Sequence, residues 1–323
     1  MEYRILGRTG VKVSPLCFGT MAFGDIADEA ESARMFHRCR ELGINFFDCA
    51  NVYAGGRSEE ILGGLVAGCR DEIVLTTKAV SSTGSDINAG GASRRHIQLA
   101  VEDSLRRLNT VRIDVYFLHH YDADTPVDEM LRALDDLVRQ GKILYPALSN
   151  WAAWQVMKAQ GIAAQAGYAR IECLQPMYNL VKRQAEVEIL PMAAQEQIGV
   201  IPYSPLGGGL LTGKYSRAAT RQTGRLVENK MYIKRYGQAD YHQTAVDFAA
   251  HAAERGYAPA TLAVAWVMAH PSVTAPIIGA RNLEQLEDSL AALDVELTAE
   301  WYAQIAALSA TPPPAHDRLE EVR

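Results

Sequence analysis

Eight times along this chain a short run of apolar, β-branched or aromatic residues is followed by a stretch with helical spacing. The runs fall at 16–19, 45–48, 72–78, 114–119, 143–149, 173–178, 200–204 and 274–279. They are continuous rather than alternating, which suits strands covered on both faces. The helical stretches fall at 29–42, 58–68, 94–108, 127–140, 151–165, 185–196, 244–270 with a break near Pro259, and 282–292. Ser58-Glu59-Glu60 opens one of them, and Gly141, Gly161 and Gly199 follow the ends of others, in keeping with helix-cap chemistry. Eight strand and helix units in 323 residues, 48% of them hydrophobic, predict a closed (β/α)8 TIM barrel of α/β class rather than an open sheet, with residues 1–323 as one domain. A turn at Arg8-Thr9-Gly10 predicts an N-terminal β-hairpin over 3–14, and 298–309 reads as an extra C-terminal helix before Pro312-Pro313-Pro314. Two connections, 80–93 and 205–243, exceed ordinary loop length. Both follow strands, so both belong at the C-terminal mouth, where barrels build their sites.

The polar residues exclude several kinds of function. A formal charge of −6, with acids and bases mixed along the chain and no basic block, gives no surface for nucleic acid or an anionic membrane. Five widely spaced cysteines without a Cys-x-x-Cys pair fit reduced thiols better than a disulfide framework or a zinc site. No pair of histidines has helical ligand spacing, so no metal is expected. The opening MEYRILGRTG lacks the apolar core of a signal peptide, and no apolar run is long enough to span a bilayer. A cytoplasmic protein with a small-molecule partner is the expectation. An isolated barrel and a ring of barrels would read alike, so the oligomeric state stays open.

Several of the apolar runs end on groups that packing alone would not choose. Asp48, Lys78 and His119 close the second, third and fourth strands, and Tyr53 follows Asp48 by five residues. Singly, each has a structural reading: a helix cap, a solvated loop lysine, a satisfied histidine. Together, at adjacent strand ends, they form one constellation on one rim. It suits proton transfer at a carbonyl. An ammonium beside the phenol favours the phenolate and lowers its pKa from about 10, and a carboxylate keeps that ammonium charged and aimed. His119 can then hydrogen-bond the substrate oxygen or relay its proton, while His120 alternates to the other face. A Schiff-base role for Lys78 is disfavoured, because a neighbouring carboxylate raises the lysine pKa. GGLLTGKY at 208–215 nearly matches a P-loop, but Tyr215 stands where Mg²⁺ chemistry needs Ser or Thr. No Gly-x-Gly-x-x-Gly follows a strand, so a Rossmann site is not indicated.

With those residues in place, the chain resembles the aldo-keto reductases over almost its whole length. FGTM, FFDCANVY, GRSEEILG, VLTTK, DVYFLHHYD, ALSNW, LQPMYNL, YSPLGGGLLTGKY and IIGARNLEQLEDS occur in that family's order. The resemblance implies a catalytic tetrad of Asp48, Tyr53, Lys78 and His119, with Tyr53 as general acid in the reduction of an aldehyde or ketone. It implies a nicotinamide dinucleotide along the barrel mouth: Ser149, Asn150 and Gln175 on the carboxamide, Tyr203 stacked on the ring, and Gly19, Thr20 and Met21 nearby. Ser204, Pro205, Leu206, Gly208 and Lys214 would follow the pyrophosphate, and Ile278, Gly279, Arg281, Gln285, Asp288 and Ser289 the adenosine phosphate. Arg281 as a fork for a 2′-phosphate implies NADP(H) over NAD(H). One well-known version of the family pattern has Lys-Ser at Gly279-Ala280 and Arg at Gln285, which concentrates phosphate affinity on Arg281. Pocket walls are expected from Met21, Phe23, the loop after Lys78, Trp151 and Met231-Tyr232. The alternative is an NADP(H)-binding regulatory or redox-sensing subunit with little turnover, since the family's fold also serves as a channel partner.

Overall fold

In the computed structural model, which describes residues 1–215 and 224–316, the chain opens with an antiparallel hairpin of β1 (Arg4–Ile5) and β2 (Lys12–Val13). Eight parallel strands follow: β3 (Cys17–Gly19), β4 (Phe46–Asp48), β5 (Val74–Ala79), β6 (Ile113–Leu118), β7 (Ile143–Ser149), β8 (Cys173–Gln175), β9 (Gly199–Val200) and β10 (Ile277–Ile278). Each pairs with its sequence neighbour, and β10 returns to pair with β3. The ring closes between β9 and β10, where Thr274 N–H donates to the Val200 carbonyl and Ile277 N–H to that of Pro202, each at 2.8 Å. The predicted barrel is the observed one.

Helices cover the outside: α1 (Glu29–Glu41), α2 (Arg57–Val66), α3 (Arg94–Arg107), α4 (Val127–Arg139), α5 (Ala153–Ala166) and α6 (Ile189–Gln195) alternate with the strands. Asp28, Ser93 and Asn282 cap helices by accepting a backbone N–H three residues on. The long connection after β9 carries structure that its sequence does not announce. A glycine-rich 3-10 turn (Gly207–Thr212) leads to α7 (Arg225–Glu228) and α8 (Lys230–Tyr236), with 216–223 of that connection outside the described residues. The stretch expected as one broken helix over 244–270 is two, α9 (Ala239–Glu254) and α10 (Pro259–Met268), the second starting on a proline at its first position. The chain then forms α11 (Leu283–Leu290) and α12 (Ala299–Ala306), the expected extra helix. Tyr302 of α12 stacks on Trp266 of α10 with ring centroids 5.3 Å apart.

The core has two layers. Phe18, Phe36, Phe47, Leu75, Tyr116 and Leu148 fill the space between strands and helices. Inside the barrel, Cys17, Phe46, Val74, Val115, Phe117, Ala147, Cys173, Ile201 and Ala275 pack against one another. Leu6 and Val13 of the hairpin complete that inner cluster, so the hairpin is a plug. It seats against backbone: a Cβ on Gly7 would fall 2.8 Å from the Glu172 carbonyl, just ahead of β8, and one on Gly199 would fall 2.5 Å from Leu6 Cδ1. With the N-terminal end stoppered and the interior filled, the C-terminal mouth is left as the place for a site. Among the described residues no helix is long and apolar enough to cross a membrane, and no cluster of three His, Cys, Asp or Glu could hold a metal.

Candidate active site

Asp48 is the last residue of β4 and pairs in register with Thr76 of β5, two residues before Lys78. Both side chains turn inward at the top of the inner core, where burial would be costly for either charge alone. Each compensates the other. Lys78 Nζ donates to Asp48 Oδ1 at 2.7 Å, to Asp48 Oδ2 at 2.6 Å and to the Cys49 carbonyl at 2.7 Å, which uses all three of its protons. Asp48 Oδ1 also accepts from the Thr76 hydroxyl at 2.6 Å and from Gln175 Nε2 at 3.0 Å. Burial works against the ammonium, but Asp48, with smaller help from Tyr53 and Cys49, holds its pKa above the ordinary lysine value. A charged, triply bonded Lys78 is a poor amine nucleophile, which argues against the Schiff-base alternative.

Tyr53 opens the 3-10 turn Tyr53–Gly56 between β4 and α2, and the turn passes through left-handed backbone at Ala54, Gly55 and Gly56. Its ring centroid lies 5.3 Å from Lys78 Nζ and 6.2 Å from the His119 ring, which it meets edge-on at 78°. Lys78 acts on this phenol in the expected direction, but the expected net fall in pKa is corrected, because burial outweighs it. Burial raises the pKa first, the Lys78 charge pulls it down, and Asp48 adds to the rise, so that Tyr53 ends at about 12. At neutral pH the phenol keeps its proton and is available as a donor.

His119 follows β6 directly, its N–H bonded to the Ala79 carbonyl. Burial, helped by the charge of Lys78, drives its pKa down to about 3, so the imidazole is neutral near pH 7. It can orient an oxygen through a hydrogen bond but is not an imidazolium donor. Among the described residues its buried Nδ1 has no hydrogen-bond partner, an unusual state for a polar atom and one that a bound ligand could relieve.

Above this floor lies a cleft of about 590 Å³, within the range of small-molecule and cofactor sites. Asp48, Tyr53 and His119 line one part of it, with Gly19 and Met21, Ser149, Asn150, Gln175 and Tyr203 around them. Those polar groups already form a chain: Tyr203 O–H donates to Asn150 Oδ1 at 2.7 Å, and Asn150 Nδ2 to the His119 carbonyl at 2.9 Å and to Ser149 Oγ at 3.0 Å. Ser204, Pro205, Leu206, Gly208 and Lys214 continue the wall, and Ile278, Gly279, Arg281, Gln285 and Asp288 close the far end. Gly208 and Gly209 have φ of 67° and 95°. A Cβ on Gly208 would fall 2.7 Å from Tyr232 Cδ1, and one on Gly209 2.6 Å from Lys214 Nζ. Bare backbone with a lysine beside it fits a phosphate-bearing dinucleotide.

Some expected contacts do not reach the cleft. Thr20 is buried beneath it, its hydroxyl bonded to the Asp48 carbonyl and to Ser58, and Ser289 is buried in α11. Phe23 and Trp151, expected as pocket walls, are core residues, and the loop after Lys78 contributes nothing to the lining. Met231 and Tyr232 do line it, and so do residues not anticipated: Thr212, Arg235 and the Ala258-Pro259-Ala260 start of α10. The one available signal for Arg235 was its spacing of three and four residues from Tyr232 and Met231.

The site thus sets a buried carboxylate–lysine pair under a phenol and a neutral imidazole at the mouth of a parallel barrel. The chain belongs to the aldo/keto reductase family, whose pattern matches residues 15–310. Members of that family use nicotinamide coenzymes. The chain is 40% identical over 317 residues, 93% of each chain, to an uncharacterized oxidoreductase, YrpG, of Bacillus subtilis (strain 168). It is 37% identical over 302 residues, 91% of this chain and 92% of the other, to a probable voltage-gated potassium channel subunit beta of Arabidopsis thaliana. It is 32% identical over 328 residues, 93% and 94% of the two chains, to versiconal hemiacetal acetate reductase of Aspergillus parasiticus.

Proposed function

We propose that this protein is a cytoplasmic, single-domain NADP(H)-dependent reductase that converts an aldehyde or ketone to an alcohol, with Tyr53 as the general acid. The observation that carries the reading is the convergence of Asp48, Tyr53 and His119 on the floor of one cleft, with Lys78 buried beneath them. When bound, the coenzyme supplies a hydride to the carbonyl carbon. Tyr53 donates its proton to the carbonyl oxygen, which becomes an alkoxide as the carbon is reduced. An alkoxide is a far stronger base than the Tyr53 phenolate, since its parent alcohol has a pKa near that of water, about 15.7. A phenol near pKa 12 therefore loses its proton downhill. Lys78 stabilises the phenolate left behind, and Asp48 keeps Lys78 charged. His119 binds the same oxygen and fixes its position.

Ser149, Asn150, Gln175 and Tyr203 would hold the nicotinamide end, Gly208 and Lys214 the pyrophosphate, and Arg281 with Gln285 a 2′-phosphate. The fork of Arg281 supports NADP(H) over NAD(H). A screen of aldehydes and ketones followed by NADPH absorbance, repeated with NADH, tests the activity and the coenzyme together. Steady turnover with NADPH preferred supports the reading, whereas no turnover on any carbonyl rejects it.

The likeness to a probable potassium channel subunit beta favours one second reading: a coenzyme-binding regulatory or redox-sensing subunit with little turnover. Tight NADPH binding without consumption on the same panel would select it.

A further inference from the structure

The wall of the cleft carries a cation that the chemistry above does not use. Arg235 sits in the last turn of α8 and lines the cavity. Among the described residues its guanidinium pairs with no carboxylate. Its contacts are Met231 Sδ, 3.6 Å from Nη2, and the Tyr232 ring, whose centroid is 5.4 Å from Cζ. The other charges of the lining have assignments: Asp48 is neutralised by Lys78, Lys214 adjoins the glycine turn, and Arg281 and Asp288 lie together at the far end around α11. Helix-end placement of a basic residue is favourable by itself, but it does not require the side chain to face a cavity.

The position of Arg235 ties it to the reacting end. It lines the same cavity as Tyr203 and precedes Tyr236 directly in α8. Tyr203 is bonded to Asn150, and Asn150 to the backbone of His119. A weakly hydrated planar cation, set between a thioether and an aromatic face at the side of a carbonyl site, is a receptor for a planar oxyanion. We propose that Arg235 recognises a carboxylate on the carbonyl substrate, so that anionic aldehydes or ketones are preferred to neutral ones. This deepens the reductase reading and rests on it.

The test compares 4-carboxybenzaldehyde with its neutral methyl ester, using NADPH and the wild type, Arg235→Met and Arg235→Lys. In Arg235→Met the ratio of kcat/KM for acid over ester falls about tenfold or more, mainly through KM, and Arg235→Lys recovers part of it. In parallel, calorimetry on the NADP-loaded protein shows 4-(hydroxymethyl)benzoate binding more tightly than its methyl ester in the wild type and losing that advantage in Arg235→Met. An unmoved ratio overturns the proposal, as does an acid alcohol that binds no better than its ester. A tenfold rise in the coenzyme Kd with the ratio intact also overturns it, by assigning the guanidinium to the coenzyme. Absence of turnover in the wild type, with carboxylate binding that depends on Arg235, would reject the reductase reading alone and leave the site assignment standing.

Discussion

At the residue scale the site depends on charge compensation between two buried groups, Asp48 and Lys78. Lys78→Met leaves Asp48 buried with only Thr76 and Gln175 as donors. Breaking a buried pair on one side costs about 3–5 kcal/mol, and urea unfolding should register a loss of that size. His119 gives a pH signature whose sign follows from its depressed pKa. The unfolded chain takes up a proton at this residue near pH 6.5 and the folded protein only near 3, so the stability it contributes is complete above about 6.5 and drains away as the pH falls from there toward 3. His119→Asn should flatten the decline in unfolding free energy between about pH 7.5 and 5. It should not abolish it, because His96 and His270 are shifted the same way. The identities at this scale were legible in the sequence: ionisable side chains ending apolar runs at Asp48, Lys78 and His119 stand out against packing. The proton affinity of Tyr53 was not. Its net rise reflects burial created by the folded turn after β4, a tertiary quantity that no spacing encodes.

At the element scale the glycine turn Gly207–Thr212 and α8 form one unit, since the left-handed backbone at Gly208 makes room for Tyr232. Gly208→Ala must either push that ring aside or shift the turn, in a conformation that costs a non-glycine residue roughly 1–2 kcal/mol. NADPH titration by fluorescence should show at least a tenfold weaker Kd, with a smaller change in melting temperature. The barrel strands and outer helices were readable because each presents a block of apolar residues with a cap or a glycine at its edge. Helix α8 was not: KMYIKRY buries only Tyr232 and Tyr236, too few turns for a periodic signal, and what fixes it is contact with the turn upstream. Arg235 went unread for the same reason, and Thr20 and Ser289 were expected at the cleft from the family resemblance, because matching motif positions give neighbourhood without giving side-chain direction.

At the scale of the molecule, the barrel is sealed at one end and open at the other. Leu6→Ala removes the side chain that seats on Gly199 and joins the inner core, and should cost about 2–5 kcal/mol in urea unfolding, with kcat little changed because the cleft lies at the opposite mouth. That polarity lets the hairpin serve stability while the rim serves chemistry. The central claim is that a phenol on that rim delivers the proton. Stopped-flow NADPH oxidation under single-turnover conditions, run on the wild type and Tyr53→Phe with a good carbonyl substrate and paired with the coenzyme Kd of each, tests it most directly. The account predicts a chemical step slowed by about 10²–10⁴-fold with the Kd within a few-fold of wild type. A Tyr53→Phe protein that reduces the carbonyl at close to the wild-type rate would contradict it.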